Sequence, residues 1–91
     1  MPRVAFTPQL RRFVDAPEVQ CTADVATLRD ALAFVFELHP RVRGYVLDDQ
    51  GHLRPNVVVF IDGQRSADRT GLSDPLRPDS SVYVLQALSG G

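Results

Sequence analysis

The 91-residue sequence contains no lysine, one cysteine and no long apolar segment. All 10 basic residues are arginines, so no side chain offers a primary amine for acylation. Cys21 alone can form neither an internal disulfide nor a cysteine-rich metal site. The longest apolar run, residues 31–36, is far too short to cross a bilayer, and the first residues lack the apolar core of a secretory signal. The sequence therefore predicts a cytoplasmic protein without a membrane segment.

The charge balance gives no indication of a nucleic-acid partner. Charged residues make up 23% of the chain, and its net charge of −1 arises from arginines and acidic residues that are interspersed along the sequence. No continuous basic stretch that could follow a phosphate backbone is present. Hydrophobic residues make up 44%, which is typical of a globular domain with one modest core. We therefore expect a single domain that binds no nucleic acid.

The first part of the chain has the pattern of a β-hairpin. Val4 and Phe6 recur at period two within residues 3–7, so both are expected to face the core. Pro8 ends this run, and residues 18–22 alternate again after a short polar connection. The close spacing of the two runs favours antiparallel pairing.

A helix is predicted next. Thr27 can cap it through its hydroxyl group, and Asp30, three residues later, can return the bond as an imperfect capping box. The helix should end at His39-Pro40, because a residue before proline is disfavoured in the helical region. The spacing predicts one buried face made of Leu28, Leu32 and Val35, with Ala31 and Leu38 beside it.

The remaining strands follow the helix. Residues 45–47 predict a short strand, with a turn at residues 48–51. Residues 57–61 form the clearest strand pattern in the chain, and Asp62-Gly63 after it is a strong signal for a tight turn. Residues 64–81 are expected to form an irregular connection to a final strand at residues 82–85.

The order of these elements indicates one fold. Two strands, a helix, a short strand, a long strand and a last strand fit a mixed sheet packed on one main helix. We therefore predict an α+β protein with the β-grasp, ubiquitin-like fold and four to five strands. The β-grasp domain covers residues 1–87, and a flexible C-terminal tail covers residues 88–91, which are Leu88, Ser89, Gly90 and Gly91.

The diglycine in this tail predicts a chemical role. Two residues without Cβ atoms can pass through a narrow channel and adopt backbone angles that other residues avoid. A carboxylate on Gly91 is ionised at neutral pH and is a poor electrophile until it is activated. Its conversion to a mixed anhydride with AMP would create a good leaving group, which a sulfur nucleophile could then displace.

Several short motifs occur in a characteristic order and end in this diglycine. They are Thr27-Leu28-Arg29-Asp30-Ala31-Leu32, His39-Pro40, residues 57–63, Gly71-Leu72 with Pro75-Leu76, and the closing residues 82–91. In this order the whole chain resembles the MoaD/ThiS family of ubiquitin-like sulfur-carrier proteins. The resemblance implies a β-grasp fold and a reactive Gly91 carboxylate.

The resemblance also implies a set of partners. An E1-like enzyme would adenylate Gly91 with ATP and magnesium, a sulfurtransferase with a persulfide would convert it to a thiocarboxylate, and an acceptor enzyme would take the sulfur. ATP and magnesium would belong to the activating partner, so the chain is expected to bind no cofactor and to act as a protein cosubstrate rather than an enzyme. The receiving pathway stays open among molybdopterin, thiamine, cysteine, methionine, thiolated RNA and natural products.

Strand alternation predicts a surface for these partners. If Val57, Val59 and Ile61 face the core together with Val82 and Val84, the intervening side chains lie on the opposite, open face of the sheet. Such a group of apolar side chains next to the tail would suit a protein contact. The residues expected to form this partner-binding patch are Val58, Phe60, Tyr83 and Leu85.

Other functions would use the same residues differently. A ubiquitin-like modifier would use the same adenylate but join Gly91 to lysines of target proteins, and a β-grasp adaptor would only dock. Cys21, His39 and His52 match no metal-ligand spacing, so no metal site is expected. The sequence also lacks a nucleophile elbow and a phosphate-binding glycine loop, which argues against an independent enzyme.

Overall fold

The computed structural model describes residues 1–14, 17–22 and 24–87 of the chain. These residues form five strands and three helices. In chain order the elements are β1 (Arg3–Phe6), α1 (Pro8–Arg11), β2 (Glu18–Gln20), α2 (Leu28–Leu38), α3 (Pro40–Val46), β3 (Val57–Ile61), β4 (Gln64–Arg65) and β5 (Ser81–Gln86). None of the helices in these ranges is long and apolar enough to span a membrane.

The strands form one mixed sheet in the order β2-β1-β5-β3-β4. β1 and β5 are parallel neighbours at its centre, and the other pairs are antiparallel. The predicted hairpin of the first two strands is confirmed, with Val4 opposite Val19. The α+β class and the mixed β-grasp sheet are likewise confirmed.

The core lies between one face of this sheet and α2. Val4 and Phe6 are fully buried, as their spacing predicts, and so is Val59 in the centre of β3. From α2, Leu28, Leu32 and Val35 pack against them, as expected, with Ala31 beside them. Burial of one such aliphatic side chain stabilises the fold by roughly 1.5–3 kcal/mol.

The start of α2 has the predicted cap with one difference. The Thr27 hydroxyl accepts a hydrogen bond from the Asp30 N–H at 3.3 Å. The Asp30 carboxylate accepts in return from the N–H of Ala26 at 3.4 Å, one residue before the cap. Leu38, expected beside the buried face, is 56% exposed, because it is the last residue of α2 before the chain turns into α3.

The predicted short strand at residues 45–47 is wrong. Pro40 ends α2 but also occupies the first turn of α3, where its missing N–H has no cost. Val42 and Val46, four residues apart, then give α3 a buried face. Leu47 forms only an isolated bridge with Leu53.

The two predicted turns are present. The Asp48 carboxylate accepts hydrogen bonds from the N–H groups of Gln50 and His52, and Gly51 has a φ of 80°. Asp62 and Gly63 both have positive φ, as a tight hairpin turn of this kind requires.

Two short elements were not predicted. The Asp62-Gly63 turn leads into β4, which occupies the first two residues of the expected irregular connection. Because β4 is only two residues long, it has no alternation to detect. Pro8, expected only to end β1, also begins the one-turn helix α1.

The long connection after β4 holds the first turn of α2. The carbonyl oxygens of Asp74 and Leu72 accept hydrogen bonds from the N–H groups of Leu28 and Arg29, both at 2.9 Å. Two helix N–H groups that would otherwise have no partner are thereby satisfied. Leu72 adopts a φ of 55°, and its side chain is buried in the core. The connection therefore contributes to the core as well as to the start of α2.

Asp68 organises that connection. Its carboxylate accepts hydrogen bonds from the N–H groups of Thr70, Gly71 and Ser73 and from the hydroxyl groups of Thr70 and Ser73. The Ser73 hydroxyl, and after it the N–H of Gly71, holds the pKa of Asp68 well below its ordinary value. A Cβ atom on Gly71 would lie 2.8 Å from the Asp68 carboxylate, so this close approach favours glycine.

We predict that Asp68→Asn destabilises the fold at neutral pH. The pKa of Asp68 is lower in the folded than in the unfolded chain, so its carboxylate contributes stability above roughly pH 4, and this contribution is lost as the pH falls through the folded pKa. Urea unfolding should therefore give a lower midpoint for Asp68→Asn at pH 7 and a smaller difference in acid. Asp49→Asn, in an exposed turn, is the control. An equal loss at both pH values would contradict the prediction.

Candidate functional site

The predicted reactive tail, Leu88, Ser89, Gly90 and Gly91, lies outside the described residues. The described part of the site is the base of the tail, at Ala87. There the N–H of Ala87 donates to the carbonyl oxygen of Asn56 at 2.8 Å, which continues the pairing of β5 with β3 by one residue.

The other side of β5 is fixed as well. The N–H of Gln86 donates to the hydroxyl oxygen of Thr7 at 3.2 Å, and the N–H of Thr7 donates to the carbonyl oxygen of Val84 at 3.1 Å. Thr7 is buried, so this hydroxyl is shielded. The base of the tail is thus held from both neighbouring strands.

The four residues expected to bind a partner lie together on the sheet. Val58 is directly opposite Leu85, and Phe60 is directly opposite Tyr83, in the antiparallel pair of β3 and β5. Side chains directly opposite in this way are close enough to touch. We call Val58, Phe60, Tyr83 and Leu85 the outer patch.

The outer patch faces away from the core. Between its members, Val57, Val59, Val82 and Val84 are buried on the inner face, and Ile61 is half-buried. Tyr83 is 37% exposed, and the other three patch residues are half-buried. Strand alternation therefore located this surface correctly, while its role in binding stays a prediction.

Polar side chains border the outer patch. Arg65 of β4 is paired with Phe60, and Arg3 of β1 donates a hydrogen bond to the hydroxyl of Ser81 at 3.0 Å. Ala5 lies beside Tyr83. An apolar centre with a polar border, open on the face opposite α2, is the arrangement of a protein-binding surface.

The potential nucleophile and metal ligands do not assemble into a second site. Cys21 is fully buried, and its burial raises the pKa of the thiol, which reduces the fraction of reactive thiolate. Across residues 1–14, 17–22 and 24–87, no three His, Cys, Asp or Glu side chains lie close enough together to hold a metal ion. The Asp48 carboxylate instead stabilises the turn at residues 48–51. The hydrogen bonds that it accepts from the N–H groups of His52 and Gln50 lower its pKa.

Sequence reasoning missed Thr7 as part of the site. It was expected only as the end of β1, and a threonine at a strand end carries no pattern that marks it as the support of another strand. Its role depends on the parallel pairing of β1 with β5, which connects residues nearly 80 positions apart.

Comparison with known proteins gives a consistent picture at the level of structure. No family model matches the sequence, and no curated protein matches it. Solved structures do match over nearly the whole chain. One is SAMP1 from Haloferax volcanii, with a TM-score of 0.85, 23% identity and coverage of 99% of this chain and 98% of that one.

Two further structures are from bacteria. A chain in the crystal structure of the BexX/CysO complex from Amycolatopsis orientalis has a TM-score of 0.84, 18% identity and coverage of 100% of both chains. CysO from Mycobacterium tuberculosis has a TM-score of 0.82, 19% identity and coverage of 97% of this chain and 100% of that one. The chain therefore has the β-grasp, ubiquitin-like fold that its resemblance to the MoaD/ThiS proteins predicts.

Proposed function

We propose that the chain is a sulfur-carrier protein whose Gly91 carboxylate is adenylated and then converted to a thiocarboxylate. The observation that carries the proposal is the position of the diglycine, which begins three residues beyond Ala87, a residue that the sheet holds through Asn56. A fixed base and a short glycine end suit a terminus that another enzyme must receive in its active site. The outer patch beside it offers that enzyme a surface to grip.

Each step of the proposed reaction uses a separate enzyme. A carboxylate oxygen of Gly91 attacks the α-phosphate of ATP, which releases pyrophosphate and leaves an acyl-adenylate. A persulfide sulfur then attacks the carbonyl carbon and displaces AMP, and reduction of the resulting acyl disulfide by a thiol leaves the thiocarboxylate. The chain supplies only the acyl group, so it acts as a protein cosubstrate, and ATP and magnesium are bound by the activating enzyme.

The absence of lysine supports this chemistry. An acyl-adenylate reacts readily with primary amines, and a carrier with exposed lysines could acylate its own side chains or those of its copies. All 10 basic residues of this chain are arginines, whose guanidinium groups stay protonated. The activated Gly91 is therefore protected from this side reaction, whether its final acceptor is sulfur or an external amine.

We expect the thiocarboxylate to be visible in protein isolated from its native cells. Intact mass spectrometry should show a fraction of the chain in which one oxygen is replaced by sulfur. Tandem mass spectrometry should place the sulfur at Gly91, and alkylation of the thiocarboxylate should remove that mass species. Complete absence of the species, in cells with an active E1-like enzyme, would contradict the proposal.

A second candidate function is a ubiquitin-like modifier. It is favoured by the fold shared with a protein described as small archaeal modifier protein 1, which matches with a TM-score of 0.82 and 20% identity. In this case the acyl-adenylate ends in an amide bond to a target lysine instead of a thiocarboxylate. Target lysines that carry a remnant of Gly91 would support the modifier, and their absence beside a detectable thiocarboxylate would support the carrier.

A further inference from the structure

Aromatic and arginine side chains from two separate parts of the chain form one cluster. The rings of Phe13 and Tyr45 are stacked, with centroids 4.1 Å apart and planes at 15°. The guanidinium carbons of Arg12 and Arg41 lie 5.3 Å and 5.5 Å from the Phe13 centroid, within the range of a cation–π contact. Tyr45 is 45% exposed, and both arginines are exposed. We call Arg12, Phe13, Arg41 and Tyr45 the arginine collar.

Phe13 of the collar is connected to the base of the tail through Thr7, which directly follows β1. Thr7 accepts the hydrogen bond from Gln86 and is followed at once by α1. The N–H of Leu10 donates to the carbonyl oxygen of Thr7, and the N–H of Phe13 donates to that of Leu10. Phe13 therefore lies just beyond the end of α1, on the segment that follows directly from the residue that supports β5.

Tyr45 of the collar is connected to the base of the tail through the start of β3. The Arg54 guanidinium donates to the carbonyl oxygen of Gly44 at 2.7 Å, and the Arg54 N–H donates to that of Val46 at 3.0 Å. Arg54 lies three residues before Val57, and Val57 is paired with Gln86. Tyr45, between Gly44 and Val46, is thus tied to the same end of the sheet from which the tail leaves.

The short tail brings any enzyme that acts on Gly91 to this end. Gly91 lies four positions after Ala87, so even a fully extended tail reaches only about 14 Å beyond Ala87. An active site that encloses the diglycine must therefore have its entrance against the residues around the tail base. The arginine collar is connected to those residues through the hydrogen bonds of Thr7 and Arg54.

The collar is positively charged and is not neutralised by the described part of the chain. Among residues 1–14, 17–22 and 24–87, the one ion pair joins Arg77 to Asp62 at 3.4 Å. No carboxylate in these ranges is paired with Arg12 or Arg41. Guanidinium groups beside an aromatic ring can keep outer N–H groups available for paired bonds to carboxylates. Arg11, one residue before Arg12, adds a third positive charge, and its Nε donates to the carbonyl oxygen of Phe6.

We propose that the arginine collar docks on carboxylate side chains around the entrance of the enzyme channel that receives the tail. This inference rests on the proposed function and adds a second contact to the outer patch, one that is electrostatic rather than apolar. A chain with a net charge of −1 lacks the broad basic surface that binds a phosphate backbone, whereas a protein surface with local carboxylates fits a small cluster of arginines. We expect this contact to orient the tail toward the channel when the chain first meets the enzyme.

The preference for carboxylates can be measured without the enzyme. A short oligoglutamate peptide is titrated into the isotope-labelled full chain, and amide chemical shifts are followed by NMR. We expect the shifts to concentrate in residues 11–13 and 41–45 and to be lost in the double variant Arg12→Glu/Arg41→Glu. Shifts spread over all arginine sites, or tighter binding of oligothymidine of similar length, would overturn the proposal.

A second measurement uses the activating enzyme. The double variant should lower kcat/KM for adenylation roughly tenfold at low salt, mainly through KM, and salt should weaken the wild-type reaction more than that of the variant. Arg29→Glu, at an exposed position in the first turn of α2, is the control for the single variants Arg12→Glu and Arg41→Glu, each of which has the same charge change. Arg12→Gln/Arg41→Gln tests neutralisation without reversal and should show a smaller loss of the same kind.

The two measurements separate the collar from the proposed function. If wild-type chain is never adenylated, the proposed function fails, and the peptide titration still decides the collar. If wild-type chain is adenylated and the Glu variant keeps the folded NMR spectrum but loses no more activity than Arg29→Glu, the collar proposal fails alone.

Discussion

Deletion of Gly91 is expected to abolish adenylation and to leave the stability of the fold unchanged. The shortened chain still ends in a glycine carboxylate, but that carboxylate falls about 3.5 Å short of the original position. Misplacement of a reacting group by only 1 Å can cost roughly 100-fold in rate, so ATP–pyrophosphate exchange should fall to background. The unfolding midpoint should not change, because every sheet pairing in the described part of the chain involves residues at least four positions before the deletion.

A variant with one alanine added after Gly91 tests the same point from the other side. It keeps both glycines but moves the carboxylate outward by one residue, and it should be equally inactive. Ser89→Ala preserves the length of the tail and should retain nearly full activity. Activity of the deletion variant within a few-fold of wild type would show that the position of this carboxylate is not what the activating enzyme recognises.

Features that follow from local periodicity were predictable from the sequence. Strand residues alternate between two faces whatever their neighbours are, so Val58 and Phe60 could be placed opposite the core before any pairing partner was known. The same rule placed Tyr83 and Leu85 on that face, whereas their register opposite Phe60 and Val58 is set by the pairing of β5 with β3. The helix cap at Thr27 was equally local, since it depends on residues three positions apart.

Features that depend on distant contacts were not predictable. Residues 45–47 have the composition of a strand, but Pro40 can begin a helix as well as end one, and the buried positions of Val42 and Val46 decided the outcome. The collar joins residues 12–13 to residues 41–45, and no sequence pattern relates them. The polar connection around Asp68 was expected to be irregular, although its side-chain hydrogen bonds make it specific.

The outer patch and the arginine collar would both contribute to binding of the activating enzyme, but at different stages of that binding. Charged groups mainly change the rate of encounter and its dependence on salt, whereas buried apolar and aromatic groups mainly slow dissociation. The proposed carrier function requires release after each transfer, so neither contact needs to be strong on its own. Variants in the two surfaces should therefore differ in kind as well as in size.

Phe60→Asp is expected to weaken productive binding of the activating enzyme more than any other single change in the outer patch. The Phe60 ring lies opposite Tyr83 near the centre of the exposed face, where a partner would exclude water. Loss of a central aromatic contact costs about 2 kcal/mol or more, and a buried, unpaired carboxylate adds to that cost. We therefore expect kcat/KM for ATP–pyrophosphate exchange to fall at least about 30-fold, with little dependence on salt.

Stability must be separated from binding in this test. Aspartate is unfavourable in a strand by up to about 1 kcal/mol, so a modest decrease in the unfolding midpoint is expected for Phe60→Asp. Phe60→Thr removes the ring but introduces a β-branched residue that favours strands, and it should lose binding with a smaller effect on stability. Leu38→Asp makes the same kind of change at a 56% exposed apolar residue at the end of α2 and should leave exchange unaffected. If Phe60→Asp stays folded and exchanges pyrophosphate as fast as Leu38→Asp, the outer patch does not contact the activating enzyme, because a carboxylate cannot be placed in the centre of a dry interface without a measurable loss.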